Sequence, residues 1–321
     1  MTRPIVTVTL NPAIDQTMLV EQLVVGEANR VTESQSGPGG KGINVSRVLQ
    51  ELGTASTATG FAPGPAGRRI ELELSATGIS VDFVRTTGET RTNLTIVDSK
   101  YHVATTIHNA GPDTDASSIE ALREKLAALS APDGWLVIGG SLPPGLEPDV
   151  YATLVRDAHG AQMRTAVDTE GEPLRAALSA NPNLVRVSPP VLEWLAEDDL
   201  ETEEEQLAAM VRLHESGVGM VLLTPREGTG LVVNAEGAWR TTPPTVPTAT
   251  VISEVGWTDA TVAGTIEVLL RGGDLEAALR RGIAAGRATI VTPGTMLCEA
   301  ATVTAFEEQV RLERIDIPTA G

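Results

Sequence analysis

The sequence is poor in cysteine and has no long hydrophobic run. Its one cysteine, Cys298, excludes an intrachain disulfide and a cysteine-built metal site. No stretch approaches the 18 consecutive apolar residues of a transmembrane helix. The first twenty residues also lack the basic start and apolar segment of a signal peptide. We therefore expect a cytoplasmic protein with no membrane association.

Positive charge is scarce as well. Lysine and arginine number 24 against 42 aspartate and glutamate residues, which gives a formal net charge of −18. A field of this sign repels nucleic-acid phosphates and anionic lipids, so neither is expected as a partner. An anionic substrate would have to be bound by a local cluster of cationic groups.

Short β-branched apolar segments alternate with amphipathic segments along most of the chain. The predicted strands are 5–10, 55–60, 135–139, 165–167, 184–187 and 219–223, and the predicted helices are 43–52, 66–77, 117–129, 149–159, 207–215, 259–271 and 275–289. Repeated strand–helix units indicate a parallel sheet with helices on both faces. Ligands of such sheets bind at the carboxyl ends of the strands.

Two segments, 17–36 and 81–106, interrupt this alternation. In the second, Val84, Leu94 and Ile96 alternate with polar or turn residues, as in half-buried antiparallel strands. We predict that both segments form a small sheet inserted discontinuously into a single domain spanning 1–321. Beside the strand ends, this sheet would act as a lid.

A glycine-rich segment at 37–44, Gly-Pro-Gly-Gly-Lys-Gly-Ile-Asn, precedes a predicted helix. It would bring backbone N–H groups and the ammonium of Lys41 to a helix N-terminus, which suits an anion or a sugar. A tight turn with a solvated lysine explains the same residues equally well. Near the other end of the chain, Asp259 stands in the first turn of a predicted helix, where aspartate is also favoured as a cap.

These two motifs, more than 200 residues apart, resemble those of the ribokinase-like (PfkB) sugar kinases, in the branch of 1-phosphofructokinase and tagatose-6-phosphate kinase. The resemblance covers nearly the whole chain. The segments that carry it are 9–15, 38–45, 88–93, 140–145, 167–169 and 292–295. It implies an α/β, ribokinase-like three-layer fold with a mainly parallel central sheet and a small antiparallel β lid.

The resemblance further implies an ATP- and Mg²⁺-dependent kinase that transfers the γ-phosphate to a hydroxyl of a ketose phosphate, of the fructose 1-phosphate or tagatose 6-phosphate type. Asp259 would be the catalytic base, and Lys41 and Arg91 would bind the phosphate of the substrate. The substrate-binding residues would be Asp15, Gly39, Gly40, Lys41, Asn44, Arg91, Asn93 and Ser141. The nucleotide and anion-hole residues would be Thr224, Gly256, Trp257, Thr258 and Gly294, with Glu193 holding the metal through water. Exposed lid strands can also pair across a homodimer.

The sequence departs from the family pattern mainly on the ATP side, and also at 105–109, where it lacks two carboxylates of the relatives near the junction of lid and body. Residues 256–259 read Gly-Trp-Thr-Asp where relatives have Gly-Ala-Gly-Asp, and Thr258 would be strained if its position needed a positive φ. Residues 188–193 lose the asparagine of Lys-Pro-Asn-x-x-Glu, and residues 224–228 replace Ser-Leu-Gly with Thr-Pro-Arg. An alternative is therefore a catalytically impaired sugar-phosphate-binding or regulatory protein on the same scaffold.

Overall fold

The predicted alternation of strands and helices is confirmed in the computed structural model, which describes residues 3–101, 103–247, 255–292 and 296–317. The strands are β1 Ile5–Thr9, β2 Ala13–Val20, β3 Val31–Gly39, β4 Thr57–Gly60, β5 Ser80–Val81, β6 Arg91–Asp98, β7 Val103–Ile107, β8 Trp135–Gly139, β9 Arg164–Asp168, β10 Leu184–Val187, β11 Met220–Leu223, β12 Gly230–Asn234, β13 Gly237–Thr242 and β14 Arg311–Ile315. The helices are α1 Lys41–Glu51, α2 Gly64–Ala76, α3 Ala116–Leu129, α4 Val150–Gly160, α5 Gly171–Leu178, α6 Pro189–Ala196, α7 Glu203–Glu215, α8 Trp257–Leu270, α9 Leu275–Thr289 and α10 Ala300–Glu307. Among these described helices, none is long and apolar enough to cross a membrane.

A ten-stranded sheet forms the centre of the molecule, in the order β14-β13-β12-β11-β10-β9-β8-β1-β4-β5. The seven neighbouring strands β11, β10, β9, β8, β1, β4 and β5 pair in parallel. Strands β12, β13 and β14 add an antiparallel edge beside β11. Successive residues of a strand lie in different hydrophobic cores on the two faces of the sheet. In β8, Leu136 and Ile138 lie in one core, and Trp135 and Val137 lie in the other. The three-layer, mainly parallel α/β fold is thus confirmed.

A second, small sheet has the order β3-β2-β6-β7. Two of its pairings are antiparallel, and β2 and β6 are parallel. Within it, Asp15 of β2 lies opposite Asn93 of β6 and Gly37 of β3. The sheet overlaps the segments 17–36 and 81–106. Their action as a lid stays a prediction.

Helices α8 and α9 approach each other closely because glycine stands where they meet. A Cβ on Gly282 of α9 would lie 2.6 Å from the carbonyl oxygen of Thr261, and one on Gly264 of α8 would lie 2.8 Å from the carbonyl oxygen of Arg281. Because α8 carries Asp259 in its first turn, this packing fixes the position of that carboxylate relative to the sheet.

We expect Gly282→Ala to lower the free energy of unfolding by about 1–3 kcal/mol, since the added methyl group must push the two helices apart. Gly160→Ala is the matched control: a Cβ at this last residue of α4 meets no atom within 4 Å. The control should be neutral or slightly stabilising. Urea unfolding of both variants measures the difference, and equal midpoints would contradict the packing described.

Candidate functional site

A glycine turn lies between β3 and α1, next to two clusters of polar side chains. One cluster surrounds Asp259 and the other surrounds Asp15. Gly40 has a φ of +121°, and a Cβ there would lie 2.6 Å from Cγ2 of Thr9. A Cβ on the preceding Gly39 would overlap the carboxylate of Asp15. The missing side chains let Asp15 approach the turn from one side, while α1 begins at Lys41 on the other.

The first cluster is built around the buried carboxylate of Asp259. Asn44 Nδ2 donates a 2.8 Å hydrogen bond to Asp259 Oδ2, and Lys41 Nζ lies 3.6 Å from Oδ1. Lys41 Nζ also lies 3.3 Å from both Asp168 Oδ2 and Thr258 Oγ1. The Lys41 side chain is 27% exposed, against 6% for Asp168 and 4% for Asp259. A ligand therefore reaches this cluster at the ammonium.

The pKa values of the cluster reflect burial and mutual attraction. Burial raises the pKa of Asp259; Lys41 offsets part of this rise, and the nearby Asp168 adds to it. Burial lowers the pKa of Lys41, but attraction to Asp168 and Asp259 outweighs burial and leaves that pKa raised. At neutral pH the site thus holds a cationic lysine beside an aspartate with a greater proton affinity than usual, which suits a base.

The start of α8 offers backbone donors. Gly256 precedes the helix with a φ of +79°, and the helix has no side-chain cap, so its first N–H groups remain available to an anion. Thr258 lies inside α8 and has no positive φ, so the strain considered for a β-branched residue there does not arise. Gly294 lies outside the described residues.

A cavity of about 640 Å³ lies beside the start of α8. Its lining includes Thr224, Pro225, Arg226, Trp257, Thr261 and Arg287. This volume lies in the range of small-molecule and cofactor sites. The indole of Trp257 forms part of the wall and packs against the guanidinium of Arg186, at 5.8 Å from Cζ to the ring centroid. Trp257 thus leaves a space large enough for a nucleotide.

The second cluster lies where β2 and β6 meet. Asn93 Nδ2 donates a 2.8 Å hydrogen bond to Asp15 Oδ1, and burial raises the pKa of Asp15, an effect that Asn93 and Arg91 offset in part. Three buried polar atoms here have no hydrogen-bond partner among the described residues: Asn11 Oδ1, Arg91 Nε and Asn93 Oδ1. Buried polar groups are normally paired, so the chemistry that suits these atoms is hydroxyl groups for the two amide oxygens and an acceptor or negative charge for Arg91.

The structure does not bring the two predicted phosphate-binding cations to a common partner. Arg91 donates to the carbonyl oxygens of Asn109 at 2.8 Å and Asn11 at 2.9 Å, whereas Lys41 lies among the carboxylates of the first cluster. Ser141 Oγ accepts a hydrogen bond from Asn11 Nδ2 at 3.2 Å, which places it beside Arg91's partner. A shared role of Lys41 and Arg91 stays a prediction.

The carboxylates of this site are fully engaged. Asp168 Oδ2 faces Lys41 and Asp168 Oδ1 faces Arg186 Nη1 at 3.4 Å, while Asn44 and Lys41 contact Asp259. In the part of the chain that the structure describes, no group of three acidic, histidine or cysteine side chains could hold a metal. Direct binding of Mg²⁺ to these carboxylates does not fit this arrangement. Glu193 lines a separate cavity with Trp194, Glu197, Asp198 and Asp199, and its metal role stays a prediction.

Three residues to which the sequence assigned no role belong to the site: Asn11, Asp168 and Arg186. Asn11 and Asp168 stand in the segments that carry the family resemblance. Arg186 is a charged residue in an otherwise apolar buried strand, with the burial pattern of a core position. A buried charge at the carboxyl end of a parallel strand is the signal that could have identified it.

Three comparisons with known proteins agree. The profile described as pfkB family carbohydrate kinase matches residues 8–302. The chain is 32% identical over 312 residues to the 1-phosphofructokinase of Borreliella burgdorferi, covering 97% of this chain and 99% of that protein. It is 30% identical over 287 residues to the tagatose-6-phosphate kinase of Staphylococcus epidermidis, covering 88% and 90%. The crystal structure of phosphofructokinase-2 from Escherichia coli with substrates and products matches with a TM-score of 0.90 and 28% identity, covering 96% of this chain and 99% of that one.

If Asp259 is the base, kcat falls toward acid pH with an apparent pKa above the ordinary 3.8 of aspartate, because the base must be ionised to act. Asn44→Ala removes the hydrogen bond that favours the ionised form, so the acid limb should move to higher pH. Asn93→Ala removes a bond of the same length at Asp15 and should leave the limb in place. Measurement of kcat as a function of pH tests this prediction. If Asn44→Ala left the acid limb of the pH profile unshifted, the role of Asp259 as the base would be contradicted.

Proposed function

This chain belongs to the pfkB family of carbohydrate kinases, and we propose that it transfers the γ-phosphate of ATP to a hydroxyl of a ketose phosphate. The observation that carries this proposal is the junction at Asp259. There a buried carboxylate, the ammonium of Lys41 and an uncapped helix start lie together. The glycine turn before Lys41 contacts Asp15, and Trp257 at the same helix start lines a nucleotide-sized cavity.

In the proposed reaction Asp259 accepts the proton of the attacking hydroxyl and orients that oxygen toward the γ-phosphorus. The oxygen–phosphorus bond to the sugar forms as the bond to the ADP oxygen breaks, and ADP leaves. Charge on the transferring group is stabilised by the first N–H groups of α8 and by Lys41. Thr224 and Trp257 line the space for the nucleotide.

The substrate lies at the second cluster. Asp15 and Asn93 bind its hydroxyls, and Arg91 supplies positive charge for the phosphate it already carries. Gly39 leaves room for the sugar beside Asp15. A divalent cation would neutralise negative charge on the phosphates of ATP.

No finding supports the alternative of an impaired binding protein. Two observations favour the kinase: Asn44 donates a hydrogen bond to Asp259, and Trp257 lines the cavity without filling it. We further propose a cytoplasmic homodimer that pairs through the small sheet. Every residue of the edge strand β7 is exposed, including Val103 and Ile107, and residues 31–36 of the other edge strand are exposed as well. Apolar side chains on unpaired strand edges favour pairing with a second copy.

Release of ADP from Mg-ATP tests the proposal. The acceptors are fructose 1-phosphate, tagatose 6-phosphate and fructose 6-phosphate, with fructose and ribose for comparison and Asp259→Asn as the blank. We expect turnover of about 1–100 per second on one phosphosugar and loss of that turnover in the blank. Rates equal to the blank on all three phosphosugars would refute the proposed function.

A further inference from the structure

Arg186 lies inside the protein at the carboxyl end of β10, between two neighbouring strands. Its Nε donates a 2.6 Å hydrogen bond to Thr224 Oγ1, just after β11, and its Nη1 lies 3.4 Å from Asp168 Oδ1, at the end of β9. The side chains of Arg186 and Asp168 are each 6% exposed. The indole of Trp257 lies near the guanidinium. Side chains from β9, from α8 and from the residue after β11 therefore surround this arginine.

Asp168 is consequently enclosed by cations. One oxygen faces Lys41 Nζ at 3.3 Å and the other faces Arg186. With Asp259 included, the cluster has two positive and two negative groups, and its formal charge is zero. A divalent cation at Asp168 would have to displace one of these ion pairs and would leave buried positive charges facing each other, which is costly where water is excluded.

We propose that Arg186 closes Asp168 to divalent metal, so that the divalent cation of the bound nucleotide is not held by this carboxylate. Arg186 is then a positioning residue: it fixes Asp168 as a partner of Lys41 and fixes Thr224 at the wall of the nucleotide cavity. The proposal rests on the proposed function only for the identity of the nucleotide. The ion pairs of Asp168 with Lys41 and Arg186 do not depend on the proposed function.

Binding of Mn²⁺ to the purified protein, measured by electron paramagnetic resonance without ATP or sugar, tests the proposal. Wild type should bind Mn²⁺ weakly. Arg186→Met should bind it roughly tenfold more tightly or better, because a unit charge within a few ångströms of the carboxylate is gone. Arg186→Lys, which keeps the charge, should stay close to wild type. Since no turnover is measured, this result is independent of whether any sugar phosphate is a substrate.

Two controls locate the effect. The double variant Asp168→Asn with Arg186→Met should return to weak binding, because the freed carboxylate is missing. Arg281→Met removes a partly buried arginine that pairs with Glu267 at 3.0 Å and Glu307 at 3.2 Å. Glu267 keeps its ion pair with Arg271 in this variant. This variant should bind Mn²⁺ as wild type does.

Equal Mn²⁺ affinity in wild type and Arg186→Met would overturn the proposal, and so would tight binding that persists in the double variant. Circular dichroism reports whether Arg186→Met is folded. If it is not, wild type and Asp168→Asn decide: equally weak binding supports the closed carboxylate, whereas a strong wild-type site that Asp168→Asn abolishes overturns it.

Discussion

Burial of the Asp259 carboxylate is the constraint on which the site depends. An ionised carboxylate away from water is tolerated only when charged and hydrogen-bonding partners surround it. Here both come from α1, as Asn44 donates to one oxygen and Lys41 lies beside the other. The starts of α1 and α8 must therefore face each other across the carboxyl ends of the central strands. Two helices far apart in sequence are joined in one polar cluster by this single anion.

The rest of the architecture supports this junction. Gly40 allows α1 to begin against Thr9, Gly256 allows α8 to begin with free N–H groups, and Gly282 lets α9 hold α8 in place. On one side of the junction the small sheet presents a pocket with unpaired polar atoms, and on the other an open cavity remains. In the proposed reaction the phosphoryl acceptor and the phosphoryl donor would thus meet at Asp259.

The sequence was most informative where local pattern and contact coincide. β-branched segments such as 135–139 and 184–187 are strands, and the glycine-rich segment at 37–44 leads into a helix, as predicted. The antiparallel strands β12 to β14 and the short helices α5, α6 and α10 were not predicted, because each spans only five to eight residues and depends on its neighbours for burial. Arg186 was missed for a related reason: its partners Thr224 and Asp168 are adjacent only through parallel pairing of β9, β10 and β11. The thiol of Cys298 is buried, and burial raises its pKa to about 12.

The central claim is that Asp259 orients an acceptor hydroxyl toward a phosphate bound at the start of α8. A crystal structure with a non-hydrolysable ATP analogue and a ketose phosphate tests it most directly. The account predicts one sugar hydroxyl within about 2.6–3.2 Å of the Asp259 carboxylate, with the γ-phosphate between that hydroxyl and the first N–H groups of α8. A complex in which both ligands are bound and the sugar hydroxyls lie away from Asp259 would contradict it.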